Sequence, residues 1–328
     1  DDLIVVDAGL MFPEEEMLGG DLVIPNISYL LERQQRVRGI IITHGHEDHT
    51  GALPYILPRL NVPVYSSRLT HGLISVKLKE HRLLSRARLN VVQPGDRVAF
   101  GQLSVEFFHV CHSIPDAMGL IIHTPVGAVV HTGDFKLDYT PVDGQLMDFS
   151  RLAGLGSEGV LLLFSDSTYA EIPGYTASER DVGYTLDRII AEAQGRVIIA
   201  TFASLISRIQ NVVDAAARQG KRAFFTGRSM RDNVDMALKL GYLKAPSGVI
   251  GQLQELPRLP PDKVVIMTTG SQGEPTSALV RMASQEHPQV TIVAGDTVVL
   301  SATAIPGNEH LVNRTLDNLF RLGARVLY

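Results

Sequence analysis

Apolar residues follow two different rhythms along the chain. Up to about residue 174, short β-branched runs at 3–6, 37–43, 62–65, 103–110, 119–123, 126–132 and 159–164 are separated by Gly, Pro and His loops, and each reads as a strand. Helical spacing occurs near 26–35, 49–59 and 69–80. Several strands in succession between 103 and 132 depart from a strict βαβ alternation, so this half predicts a sheet-rich α/β layer structure. From about 175 the pattern becomes a clean alternation. Helices are expected at 178–194, 204–219, 229–240, 275–285 and 307–322, and strands at 196–200, 222–226, 263–268 and 290–293. Helices between buried strands imply a parallel sheet. Pro173 and Gly174 break the pattern inside a linker at 169–177, which divides the chain into domains 1–174 and 175–328. The chain opens without Met in one strand-like run and stops in another, Val326-Leu327-Tyr328, so both ends are expected to lie inside a fold.

Composition narrows the class. With 328 residues, 45% of them hydrophobic and 20% charged, the chain has enough apolar surface for two cores, which excludes intrinsic disorder. A single cysteine, Cys111, cannot form an internal disulfide, and the longest apolar runs are far too short to span a bilayer. No basic, apolar-cored signal peptide opens the sequence, so a cytoplasmic location is expected. The net charge of −5 hides an asymmetry: residues 1–174 carry 13 Lys/Arg against 21 Asp/Glu, and residues 175–328 carry 17 against 14. Such a split fits a cation site beside a polyanion surface, and it fits equally two unrelated soluble domains.

The chemistry concentrates where the apolar run Ile40-Ile41-Ile42-Thr43 ends in His44-Gly45-His46-Glu47-Asp48-His49. Two residues apart in an extended loop, His44 and His46 point to one side, while Asp48 and His49 turn toward a second position at the start of the next helix. Imidazole and carboxylate suit Zn²⁺. Two further candidates follow strands in the same way: His112 in Cys111-His112-Ser113-Ile114-Pro115-Asp116, and Asp134 in Gly133-Asp134-Phe135-Lys136. A carboxylate placed between two metals can bridge them, as in two-metal hydrolytic sites. His109 and His131 are rivals that read better as packed strand residues, and His71, His81, His123, His287 and His310 stand alone. In the second half, strand ends release small residues at helix starts, as in Ala203-Ser204-Leu205, Gly227-Arg228-Ser229 and Gly270-Ser271-Gln272-Gly273. Helix-start N–H groups can hold phosphates, although each such segment is also an ordinary cap. Arg208, Arg228 and Arg231 are the candidate phosphate partners, against the plain alternative of solvated helix faces.

The H-x-H-x-D-H motif, a His after one strand and Gly-Asp after another resemble the metallo-β-lactamase superfamily in its nuclease form. Ser165-Asp166-Ser167-Thr168, Thr201-Phe202-Ala203-Ser204, Thr269-Gly270-Ser271-Gln272-Gly273-Glu274-Pro275 and Ile305-Pro306-Gly307-Asn308-Glu309 narrow the resemblance to the ribonuclease J family of β-CASP ribonucleases, over essentially the whole chain. The resemblance implies a metallo-β-lactamase αββα sandwich, incomplete at both ends, plus a parallel-sheet β-CASP domain. It implies two zincs, one held by His44, His46 and His112 and the other by Asp48 and His49, with Asp134 bridging and Asp7 supporting the ligands from behind. Asp166 and Asp48 are the catalytic residues of that scheme, Asp166 by proton transfer, although by residue type alone Asp166 reads as a helix N-cap. Ala203, Ser204, Leu205, Arg208, Arg228 and Ser229 would line the RNA path.

The implied activity is hydrolysis of single-stranded RNA, 5′-to-3′ with a preference for a 5′-monophosphate and with endonuclease cuts, in RNA processing and mRNA decay. The implied assembly is a homodimer or homotetramer. The family pattern also places a Ser-Gly-His-Ala motif and one more His ligand beyond the position of Tyr328. A DNA-directed β-CASP nuclease and a non-catalytic RNA-binding scaffold are the competing readings. A small-molecule hydrolase would share the His cluster without needing the inserted second domain.

Overall fold

The computed structural model describes residues 2–11, 17, 19–168, 170–302 and 307–328. The chain forms two compact units, Asp1–Thr176 and Ala177–Tyr328. Tyr169 of the expected linker, and Ile305 and Pro306 of the last motif, lie outside the described residues.

The first unit contains two sheets. Strands β1 (Leu3–Val6), β2 (Val37–Ile41), β3 (Val64–Ser66) and β4 (Leu89–Val91) pair in that order, all parallel. Their connections carry helices α1 (Ser28–Glu32), α2 (Glu47–Thr50), α3 (Leu53–Ile56) and α4 (Arg68–Glu80). Strands β5 (Arg97–Phe100), β6 (Leu103–His109), β7 (Met118–Thr124) and β8 (Gly127–His131) form an antiparallel meander. After α5 (Phe149–Glu158), β9 (Leu162–Phe164) adds to β8 in parallel.

Strand alternation explains the layering. Ile41, Val105, Phe107, Met118 and Leu120 meet in one core between the sheets. Ile40 and Ile42 point the opposite way, onto Leu53, Ile56, Ile74 and Leu78 of α3 and α4. Phe108, Ile121 and Val130 likewise face outward, onto Leu155 of α5. Helix, sheet, sheet and helix therefore stack in the expected αββα order.

The second unit comprises α6 (Glu179–Glu192), β10 (Val197–Ala200), α7 (Ile206–Arg218), β11 (Arg222–Thr226), α8 (Arg228–Leu240), β12 (Val264–Thr268), α9 (Ala278–Ala283), β13 (Thr297–Leu300), α10 (Glu309–Arg321) and β14 (Arg325–Leu327). Its strands run in the order β11-β12-β10-β13-β14, all parallel. Every residue of β10 and β12 is buried, the pattern of a sheet covered on both faces. Among the described residues no helix is long and apolar enough to cross a membrane.

Several expectations are corrected. The run 290–293 is not a strand: Asp296 closes a turn by accepting from the Val293 N–H at 2.9 Å, and the strand is β13. Val290 and Ile292 are apolar because they pack into the core, without any ladder. The expected helix 49–59 is split into α2 and α3, because Ala52 N donates to Ala8 O at 2.8 Å and carries the chain after β1. The strand expected at 159–164 is confined to Leu162–Phe164, and Val160 to Phe164 are between 41% and 58% exposed.

Candidate metal centre

β1 and β2 end side by side, and their last residues build the floor of the centre. Asp7 N donates to Ile41 O at 2.8 Å, after which Asp7 adopts a left-handed backbone (φ 61°) that turns its carboxylate across the end of β2. One oxygen accepts from Thr43 N at 2.8 Å, and the other accepts from Thr43 Oγ1 at 2.9 Å and from His49 Nδ1 at 2.7 Å. The proton on Thr43 Oγ1 is thus committed to Asp7, so at 3.1 Å the same oxygen accepts from His44 Nδ1. That fixes the His44 tautomer and leaves the lone pair of Nε2 directed inward. Gly9 is required close by: a Cβ there would lie 1.6 Å from the carbonyl oxygen of Asp48.

Three loops bring the donors together. His44 Nε2 lies 2.9 Å from His46 Nδ1, and His112 Nε2, on the loop between β6 and β7, lies 3.2 Å from that same His46 atom. Asp134 follows β8 in a turn where Gly133 has φ 59° and donates its N–H to His131 Nδ1 at 3.0 Å. The Asp134 carboxylate reaches His44 Nε2 (3.9 Å), His112 Nε2 (3.8 Å) and His49 Nε2 (3.5 Å). Two donor groups able to hold a metal ion result, His44/His46/His112 and His44/His49/Asp134, with all ligand atoms in each group within 4.8 Å of one another. Asp48 stands at the rim, its carboxylate 68% exposed and 3.6 Å from His49 Nε2.

Protonation matches ligation in most of the set. Burial, followed by the charges of neighbouring imidazoles, holds His44 well below its ordinary value. Burial likewise lowers His46 to about 4 and His112 to about 3. These rings are neutral near pH 7, the form that binds metal. His49 is the exception. Burial alone would lower it, but hydrogen bonds to Asp134 and Asp7 and their charges raise it to about 10. Asp134 is lowered despite its burial, chiefly by its hydrogen bond with His49. One buried and two half-buried imidazoles, neutral near pH 7, bring their donor atoms within 4.8 Å of one another, so the donor set fits a bound metal ion.

Asp166 follows β9 and faces the Asp134 loop. Its N–H donates to Thr132 Oγ1 at 3.0 Å, and its carboxylate accepts from Phe135 N at 3.4 Å. It also accepts from Thr168 N (3.0 Å) and Thr168 Oγ1 (2.8 Å) in an Asx turn, and among the described residues no helix starts there, so the N-cap reading of Asp166 is corrected. Sequence reasoning missed Thr43 and Ser113, whose Oγ lies 3.4 Å from both His46 Nε2 and His112 Nε2. Thr43 carried one usable signal, its place immediately before the first His at a strand end.

In the second unit, Ala203 and Ser204 are half-buried and Leu205 is buried at the start of α7, while Arg228, Ser229 and Arg231 are exposed at the start of α8 after Gly227 (φ 95°). Arg208 requires correction as a phosphate partner. It is only 9% exposed, forms two hydrogen bonds of 3.1 Å with the Glu179 carboxylate, and donates to Ser301 O at 2.9 Å.

Residues 1–190 match the metallo-beta-lactamase superfamily model, and residues 194–319 match the model for the beta-CASP domain of ribonuclease J. The chain is 48% identical to ribonuclease J of Thermus thermophilus, aligning over 100% of this chain and 58% of that protein. It is 45% identical to ribonuclease J 1 of Streptococcus pyogenes (100% and 58%) and 45% identical to ribonuclease J2 of Bacillus subtilis (100% and 59%). It therefore spans under three fifths of the length of these relatives. A protein of unknown function from Enterococcus faecalis superposes with a TM-score of 0.66 over 99% of this chain and 81% of that one, at 14% identity, a likeness of fold alone. With the αββα layers, the His/Asp cluster and both models matched, the chain belongs to the metallo-β-lactamase superfamily and, within it, to the ribonuclease J family with its β-CASP domain.

Proposed function

We propose that this chain is the metal-binding and β-CASP portion of a zinc-dependent ribonuclease, with residues 1–174 as the metallo-β-lactamase part and 175–328 as the β-CASP part. The observation that carries the reading is Asp134, whose carboxylate is shared between the His112 and His49 sides of the cluster. His44, His46 and His112 would hold one zinc, and Asp48 and His49 a second, with Asp134 between them. Nitrogen and carboxylate donors at close quarters favour Zn²⁺ over harder ions. When bound, the metal ions supply Lewis-acid activation of water and neutralise charge on the scissile phosphate.

The chain's own residues do the rest. Asp7 and Thr43 fix the ring orientations of His49 and His44. Asp166, whose carboxylate accepts from Phe135 N beside Asp134, would deliver a proton to the leaving 3′ oxygen. Ser204 and the exposed Arg228 and Ser229, at the starts of α7 and α8, offer N–H groups, hydroxyls and a guanidinium to backbone phosphates. RNA as substrate, and 5′-to-3′ attack on a 5′-monophosphate end beside internal cutting, follow from kinship with proteins named ribonuclease J. A cytoplasmic location belongs to the same reading.

The test is degradation of one RNA carrying a 5′-hydroxyl, monophosphate or triphosphate by the full-length protein, with and without prior chelation. Faster exonucleolytic loss of the monophosphate form, abolished by chelation and restored by zinc, is expected. A pocket sized for one phosphate leaves the extra charge of a triphosphate poorly paired. Equal rates on all three ends remove the 5′-end preference. Cleavage that survives chelation removes the metal-dependent reading altogether, and cleavage of single-stranded DNA in preference to RNA selects the DNA-directed alternative.

A further inference from the structure

The two loops that supply His44/His46 and His112 come from different sheets, and one helix touches both. The first N–H groups of α4 receive no side-chain bond from Ser67, the residue at its own N-cap, whose hydroxyl is directed at Thr70 Oγ1 at 3.0 Å. Leu69 N donates instead to Asp116 Oδ2 at 3.3 Å, and Asp116 belongs to the His112 loop. To place that carboxylate, Asp116 adopts a left-handed backbone (φ 62°), which residues other than Gly rarely take without a compensating contact.

One turn further along α4, the side chain of Leu73 packs against the other loop. A Cβ on Gly45 would lie 2.4 Å from Leu73 Cδ1 and 3.3 Å from Ile114 Cδ1, so Gly45 sits between α4 and the His112 loop with no room to spare. One turn further again, Lys77 pairs with Glu47, which stands between His46 and Asp48. Leu69, Leu73 and Lys77 recur every four residues and form one face of the helix. Ile74 and Leu78, on the neighbouring face, are buried in the core under the first sheet.

We propose that α4 is the spacer that sets the distance between the two histidine loops, with Asp116, Leu73 and Lys77 as positioning residues for the His44/His46/His112 set. The proposal rests on the metal-binding reading above. A ring nitrogen must arrive within a few tenths of an ångström of its place to ligate, and outer contacts that hold ligands in place commonly change metal affinity by about 10–100-fold when removed.

The experiment is zinc affinity of the full-length protein, by competition with a chromogenic chelator, alongside the melting temperature of the metal-free form. Leu73→Ala and Asp116→Ala are expected to weaken zinc binding by about tenfold or more. Asp116→Asn keeps an oxygen that can accept from Leu69 N and is expected to retain most of the affinity. Leu78→Ala is the control: it truncates the core-facing side of the same helix, so it should lower the melting temperature more than Leu73→Ala while binding zinc as the parent does. Should Leu73→Ala or Asp116→Ala fail to fold, Lys77→Gln carries the same test with a milder expected loss. Parental affinity in the loop-facing variants overturns the proposal, as does a loss that merely tracks melting temperature with Leu78→Ala included. A parent protein that takes up no zinc overturns the metal reading itself, an outcome read on a different sample.

Discussion

Asp166 carries two sets of contacts, and they can be separated. One oxygen holds the Asx turn to Thr168, and the other accepts from Phe135 N beside Asp134. Asp166→Asn keeps an acceptor for the turn but has no carboxylic acid proton to give. Turnover on RNA should fall by about 100-fold or more, with metal content and RNA affinity nearly unchanged, a loss in the range ascribed to a general acid. Single-turnover cleavage with zinc analysis on the same sample checks this, and full-rate cleavage would return Asp166 to a structural role.

His287 makes a second prediction at the residue scale. Its Nδ1 accepts from Val290 N at 3.1 Å, its Nε2 meets Thr226 Oγ1 at 3.0 Å, and burial, followed by the charge of Arg281, lowers its pKa below the ordinary 6.5. A protonated ring cannot accept at Nδ1. Its contribution to stability is therefore complete above 6.5 and is lost as pH falls from there toward the lowered folded value. The parent's stability against unfolding should fall more between pH 8 and pH 5 than that of His287→Gln, and parallel pH profiles would contradict the assignment. At this scale the sequence was most legible where chemistry restricts residue type, as with His44, His46, His112 and Asp134. Thr43 and Ser113 stayed hidden because a hydroxyl's role depends on where it points, and only the folded loops decide that.

Elements were legible where periodicity and burial coincide. The second-unit strands Val197–Ala200, Arg222–Thr226 and Val264–Thr268 fall where apolar runs predict them. The run 290–293 misled because core packing alone makes a segment apolar, with no ladder required. β9 forms within the run expected as a strand at 159–164, although its apolar side chains are exposed. Arg208 was misplaced for a related reason, since a cation on a helix reads as solvated until a distant acid, here Glu179 at the start of α6, is seen to meet it. Removing one partner of a buried pair leaves an uncompensated charge, so Arg208→Met should destabilise the protein by about 3–5 kcal/mol. It should leave the salt dependence of RNA binding unchanged, because a group that does not touch phosphate releases no counterions. Titrating RNA at several salt concentrations, beside denaturant unfolding, checks both halves. A shallower salt slope would restore Arg208 to the RNA path.

For the whole molecule, the acidic first half and mildly basic second half fall on two units with separate cores. The excess acid in the first unit includes Asp7, Asp48 and Asp134, which converge on the half-buried His49. If this convergence is the dinuclear zinc centre proposed above, loss of Asp134 strikes it most directly. The measurement is zinc per chain and RNA cleavage for the full-length parent and Asp134→Ala, purified without chelator. Close to two zincs are expected in the parent and fewer in the variant, with activity lower by orders of magnitude on loss of the group that joins both halves of the centre. Near-parental cleavage by Asp134→Ala, or a parent that is active without metal, would contradict it.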